Sequence, residues 1–193
     1  MLTIQRFLTI LKRKQACGPA LAFVAAQESV YSAWHLCAEE DWAAWLIEEL
    51  MSVKTRVLLG VLAVRRTLEE TKKPLPEDLL EYLLVLDLLE RWALGEKLTE
   101  ELLASQVWAN TWMNPDKTTK YFLHNTVYEL LDEALSWDRQ NGFSANILNI
   151  VLNSCAFLLD GKFGEYDSAS IEYFHKHIPF NILHEELTPK RKR

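Results

Sequence analysis

The chain has 193 residues, of which 49% are hydrophobic and 25% charged, and a formal net charge of −6. That length supports one large domain whose core needs neither a disulfide nor a metal, and the composition argues against a chain disordered throughout. With only 6 Gly and 6 Pro there are few turns for many short strands, the acidic balance disfavours a grip on a phosphate backbone, and three cysteines, Cys17, Cys37 and Cys155, are too few for a secreted disulfide scaffold.

Leu2, Ile4, Phe7, Leu8 and Leu11 form one apolar stripe at helical spacing, and Lys12, Arg13 and Lys14 follow where cations suit a helix C-terminus. Apolar residues before charges is the reverse of a secretory signal, and no apolar run reaches the roughly 18 residues of a membrane span. The expectation is a soluble, cytoplasmic protein. Gly18-Pro19 breaks the first helix and opens a second, which ends near Ala25. Ser29 is placed to cap a third helix that runs to about Cys37. Asp41 opens the next, to about Met51, with Trp42, Trp45, Leu46 and Leu50 on one face.

Lys54 to Thr71 and Glu77 to Leu94 are the longest apolar helical segments. Val57 to Val64 is apolar all round, and so is Tyr82 to Leu86. Helices of that kind belong in the centre of a protein. Asp87 interrupts the second, and a buried carboxylate there requires a cation such as Arg65, Arg66 or Arg91. Gly95 is a C-terminal stop, and Thr99 caps Glu100 to Trp112. Asn114-Pro115-Asp116 has the form of a helix start, with the helix reaching about Trp137. Ser144 caps another through Asp160, Ser168 to Lys176 forms a short one, and Pro189 opens a basic tail. Period-two alternation is scarce, and the single Asn-Gly, at 141–142, lies between helical patterns. The fold class is therefore all-α: one compact bundle of about eight or nine helices over 1–188, with two central apolar helices and a tail over 189–193.

No phosphate loop, dinucleotide loop or nucleophile elbow is present. His175, His177 and His184 are the one loose cluster with a metal-ligand flavour, and they define a metal-dependent or small-ligand enzyme as the alternative function. His35 and Cys37 fall on different sides of a helix, which does not favour a nucleophile pair. No cofactor is expected. The seven tryptophans are the most unusual feature. Trp108 and Trp112 are one turn apart and flank, with Tyr121, the Asn114-Pro115 corner. Aromatic residues dominate interface hot spots, so these three define a candidate partner-binding patch. The acids Glu39, Glu40 and Asp41 form a second one.

The run Ala33-Trp34-His35-Leu36-Cys37-Ala38-Glu39-Glu40-Asp41-Trp42-Ala43-Ala44-Trp45-Leu46 resembles a stretch of small helical immunity proteins of bacterial and phage genomes. The resemblance implies a non-catalytic protein that binds and blocks a macromolecular partner, as an immunity or counter-defence factor. An acidic body suits a partner with a basic surface, because opposite charge steers association. Nucleic acid is expected to engage only the tail, if at all. The physical content of the run is a corner between two helices locked by Trp34, Trp42 and Trp45, which makes it first a folding device.

Overall fold

The computed structural model describes residues 2–37, 40–72, 74–110 and 119–138. These form eight helices: α1 (Ile4–Arg13), α2 (Gly18–Ala25), α3 (Val30–His35), α4 (Glu40–Leu50), α5 (Val53–Glu70), α6 (Leu79–Ala93), α7 (Thr99–Asn110) and α8 (Thr119–Asp138). No strand occurs among the described residues, so the all-α expectation holds for them. None of these helices is long and apolar enough to cross a membrane. The Asn114 start signal, every element expected beyond residue 138 and the basic tail lie outside the described residues.

Capping chemistry sets the helix starts. Thr3 Oγ1 accepts from the Arg6 amide at 3.3 Å, Ser29 Oγ from the Ser32 amide at 3.0 Å, and Ser52 Oγ from the Thr55 amide at 3.2 Å. Each satisfies one of the orphan donors of a first turn. Ser29 is the cap expected from the sequence, and Ser52 moves the start of α5 back to Val53. α4 begins at Glu40, one residue before the expected cap Asp41.

Two helix ends share one geometry. The amides of Gly95 and Glu96 donate back to Trp92 O and Arg91 O, which closes the end of α6 in a Schellman turn. Gly95 has φ 111°, a region that glycine enters without steric cost. The end of α1 repeats the turn with Gln15 in the glycine position: Gln15 donates to Lys12 O at 3.1 Å and Ala16 to Leu11 O at 3.0 Å. Gln15 has φ 61°, and a side chain in that region costs about 1 kcal/mol.

The described residues divide into two compact units, one ending at Met51 and one beginning at Ser52. In the first, α1 packs on α2 and α2 on α3, around Phe7, Leu11, Val24, Trp34 and Ile47. In the second, α5 packs on α6 and α8, and α7 on α6 and α8. The middle of α5 is buried at Val57, Leu59, Gly60, Val61, Ala63 and Val64. α6 is buried on one face only, at Tyr82, Val85, Leu86, Leu89 and Trp92. Leu84 and Asp87 are exposed, so the expected burial of Asp87 does not hold. Its partner is nevertheless one of the arginines expected, Arg65. Helical periodicity explains the difference, because a continuous apolar run still turns part of itself away from its neighbours.

Candidate ligand cavity of the N-terminal unit

An apolar cavity of about 310 Å³ lies in the first unit. All four described helices of the unit contribute to it at helical spacing. α1 supplies Phe7 and Leu11, one turn apart. The Schellman turn brings in Gln15, Ala16 and Cys17, and α2 adds Ala20, Phe23 and Val24. Val30, Ala33, Trp34 and Cys37 form the wall from α3 and its end, and Trp42, Trp45 and Leu46 close it from α4. The wall mixes small residues, Ala16, Ala20 and Ala33, with the large rings of Phe7, Phe23, Trp34, Trp42 and Trp45. The Phe23 and Trp42 rings meet at 5.9 Å between centroids with a 53° tilt, a geometry favoured by ring quadrupoles.

The three tryptophans of the corner have different roles. Trp34 is 2% exposed and belongs to the core. Trp42 and Trp45 are half-buried, so part of each ring is covered and part faces the cavity. Cys37 is buried and Cys17 exposed, placing one thiol in the wall and one at the edge. Cys17 is the N-cap residue of α2, and its side chain makes no capping hydrogen bond. Outside the wall, Lys14 Nζ pairs with Glu49 Oε2 at 3.2 Å, tying the end of α1 to α4 one turn beyond Trp45. Both side chains are exposed, so the pair contributes little to stability.

This chemistry defines what the cavity can do. No residue in its described wall carries a formal charge, and the polar side chains there include the Gln15 amide and the thiols of Cys17 and Cys37. The cavity offers dispersion, aromatic edges and desolvation. An engineered cavity of about 150 Å³ takes a benzene ring. A space twice that size takes a group of roughly a dozen heavy atoms, such as a bulky aromatic side chain or a short apolar chain.

The second unit holds the buried polar contacts. Arg56 Nη2 reaches Glu133 Oε1 at 2.7 Å between α5 and α8. Burial raises the Glu133 carboxyl above its ordinary value, and the charge and hydrogen bond of Arg56 lower it by less. The Tyr82 hydroxyl lies 3.5 Å from Nδ1 of His124, and the two rings meet edge to face. Burial, with Asp78 and Glu81 adding negative charge, pushes the Tyr82 phenol well above its ordinary value. Lys54 Nζ sits 5.2 Å from the Trp92 ring centroid, a cation–π contact.

The residues selected from the sequence are distributed otherwise. Trp112, Glu39, His175, His177 and His184 lie outside the described residues. Trp108 falls in α7, Tyr121 in α8, and Glu40 and Asp41 in the first turn of α4, with their side chains outside the description. His35 is exposed and its ring meets that of Tyr31 at 4.2 Å between centroids with a 54° tilt, while Cys37 is buried. Among the described residues no group of three or more His, Cys, Asp or Glu is placed to hold a metal ion. The sequence marks Trp34, Trp42 and Trp45 as a corner that is first a folding device, and does not mark the space beside it. The available signal was the repeated i, i+3, i+4 pattern of four successive short helices with alanines interspersed. No family model, curated protein or solved structure matches this chain.

Proposed function

We propose that this chain is a non-catalytic binding protein that blocks another protein, as an inhibitor or an immunity or counter-defence factor, and that it seats an apolar anchor of that partner in the cavity of its N-terminal unit. The observation that carries the reading is the uncharged, aromatic-walled space bounded by Phe23, Trp42 and Trp45. Interfaces draw most of their energy from a few aromatic or aliphatic anchors seated in desolvated pockets, and this cavity has the size of one such anchor. The resemblance of the 33–46 run to immunity proteins supports the same reading, since Trp34, Trp42 and Trp45 of that run form the wall. The net charge of −6 favours a partner with a basic surface. A second reading, a small apolar ligand in the same space, draws on the same wall and differs in its occupant.

Capture from the native cell with the full chain, compared with Trp42→Ala and with the milder Trp42→Phe, tests the proposal. A protein bound by wild type, retained by Trp42→Phe, lost with Trp42→Ala and inhibited by the purified chain is the expected result. Equal capture by all three chains, or loss of the partner only with Trp108→Ala and Trp112→Ala, would move the site away from the cavity.

A further inference from the structure

The face of α6 opposite its buried side carries a pattern of its own. Leu80, Leu84, Asp87, Arg91 and the C-cap residue Leu94 follow one another at intervals of four, three, four and three residues. That is the spacing of a coiled-coil seam. All five face solvent: Leu80, Leu84 and Leu94 are 68%, 56% and 69% exposed, and the Asp87 and Arg91 side chains 58% and 51%. Three exposed leucines on one line are not part of the core, because α6 already buries its other face through Tyr82, Leu86 and Leu89. The strip is apolar at both ends, at Leu80 with Leu84 and at Leu94, and charged in the middle, at Asp87 and Arg91, the mixed pattern of a helix seam whose charges choose the partner.

We infer that the occupant of this seam is the α6 seam of a second copy of the chain, docked antiparallel. The charges select that arrangement. From Leu84 to Leu94 the seam reads apolar, negative, positive, apolar. Placed antiparallel on itself, it sets Leu84 against the partner's Leu94 and Asp87 against the partner's Arg91, each contact occurring twice. A two-fold contact requires this self-complementarity. The parallel arrangement sets Asp87 against its own copy and Arg91 against its own copy, which like-charge repulsion opposes. The contacts the two groups make within the chain do not stand in the way. Asp87 pairs with Arg65 and Arg91 with Glu96 at exposed positions, where ion pairs are weak and exchange readily. Arg65 keeps Glu90, at 3.3 Å, when Asp87 turns outward.

The contact is only four helical turns long, so the dimer is concentration-dependent and weakened by salt. The inference is independent of the cavity. Sedimentation velocity on the full chain tests it. Wild type is expected to shift from the mass of one chain towards two as concentration rises, and Leu84→Asp to remain at one. Asp87→Arg and Arg91→Asp are each expected to weaken association at least about tenfold, the loss of roughly 1.4 kcal/mol. An equimolar mixture of those two variants is expected to associate again, because each supplies the charges the other lacks. Circular dichroism separates lost association from lost structure, and the mixture keeps the test valid if Leu84→Asp fails to fold. Wild type at the mass of one chain up to roughly 1 mM, the limit of a meaningful contact, would overturn the inference. So would a dimer that survives Leu84→Asp, or folded single variants that fail to associate when mixed.

Discussion

Glu133 is the residue where charge and burial oppose each other most directly. Its side chain is 4% exposed and holds Arg56 at 2.7 Å, yet its carboxyl is raised above the ordinary value near 4.5 because desolvation outweighs the cation. A buried pair of this type is weak support for stability, although removal of one partner is costly. The sign of the pH dependence follows. A carboxyl raised in the folded state binds its proton more tightly folded than unfolded. That contribution is complete below the unfolded value and is lost as pH rises through the folded one. Urea unfolding of wild type and Glu133→Gln between pH 4 and pH 7 should therefore show the wild-type advantage shrinking with pH. An advantage that grows with pH would mean that Arg56 prevails over burial. Glu133→Ala should cost about 3 kcal/mol, because Arg56 then loses its buried counter-ion. Little of this was legible in the sequence: 77 residues separate the two partners, and no local pattern joins them. Asp87 shows the opposite case. Its cation was among the three arginines named from the sequence, but its exposure depends on which side of α6 the neighbouring helices cover.

Among the elements, α5 and α8 approach closely at Gly60. A Cβ at that position would fall inside contact distance of Leu130 Cδ2, and Leu130 is fully buried in α8. Glycine inside a helix costs roughly 1 kcal/mol relative to alanine, so propensity alone favours Gly60→Ala. Packing decides against it. Leu130 has no solvent to move into, and overpacking a core costs about 1–3 kcal/mol. Gly60→Ala is expected to lower stability by about 1 kcal/mol in urea unfolding. Combined with Leu130→Ala it should cost less than the sum of the two changes, since the second opens the space the first needs. A stabilised single variant would show that the leucine reorients freely. From the sequence, Gly60 reads as one more member of an apolar run. The run itself, the cap at Ser29 and the stop at Gly95 were legible because they are local, whereas the partner of a glycine on another helix is not. The Gln15 turn is not legible for a related reason, since glycine is the usual signal for it.

Across the molecule, the all-α class was legible from periodicity, and the cavity was not. Its wall takes two or three residues from each of four short helices, and each of those residues, read alone, is an ordinary helix-face position. A cavity is a deficit that appears only when the helices meet. That deficit also has an energetic meaning. An apolar space of about 310 Å³ that reaches solvent at the exposed Gln15 and Cys17 leaves apolar wall uncovered that a filled core would bury. A chain that keeps such a space gives up stability that substitution can restore, and the usual reason is function. Ala20 lies in the wall and is half-buried, so Ala20→Leu adds three carbons facing the space. It is expected to raise the unfolding free energy by about 1 kcal/mol, less than the ~0.8 kcal/mol per buried methylene would give in full because packing is imperfect. The same variant should lose the partner that wild type captures. Stability and binding moving in opposite directions would identify the cavity as a site held open for its occupant. Gained stability with undiminished capture would identify it as a packing defect, and would leave the partner to another surface.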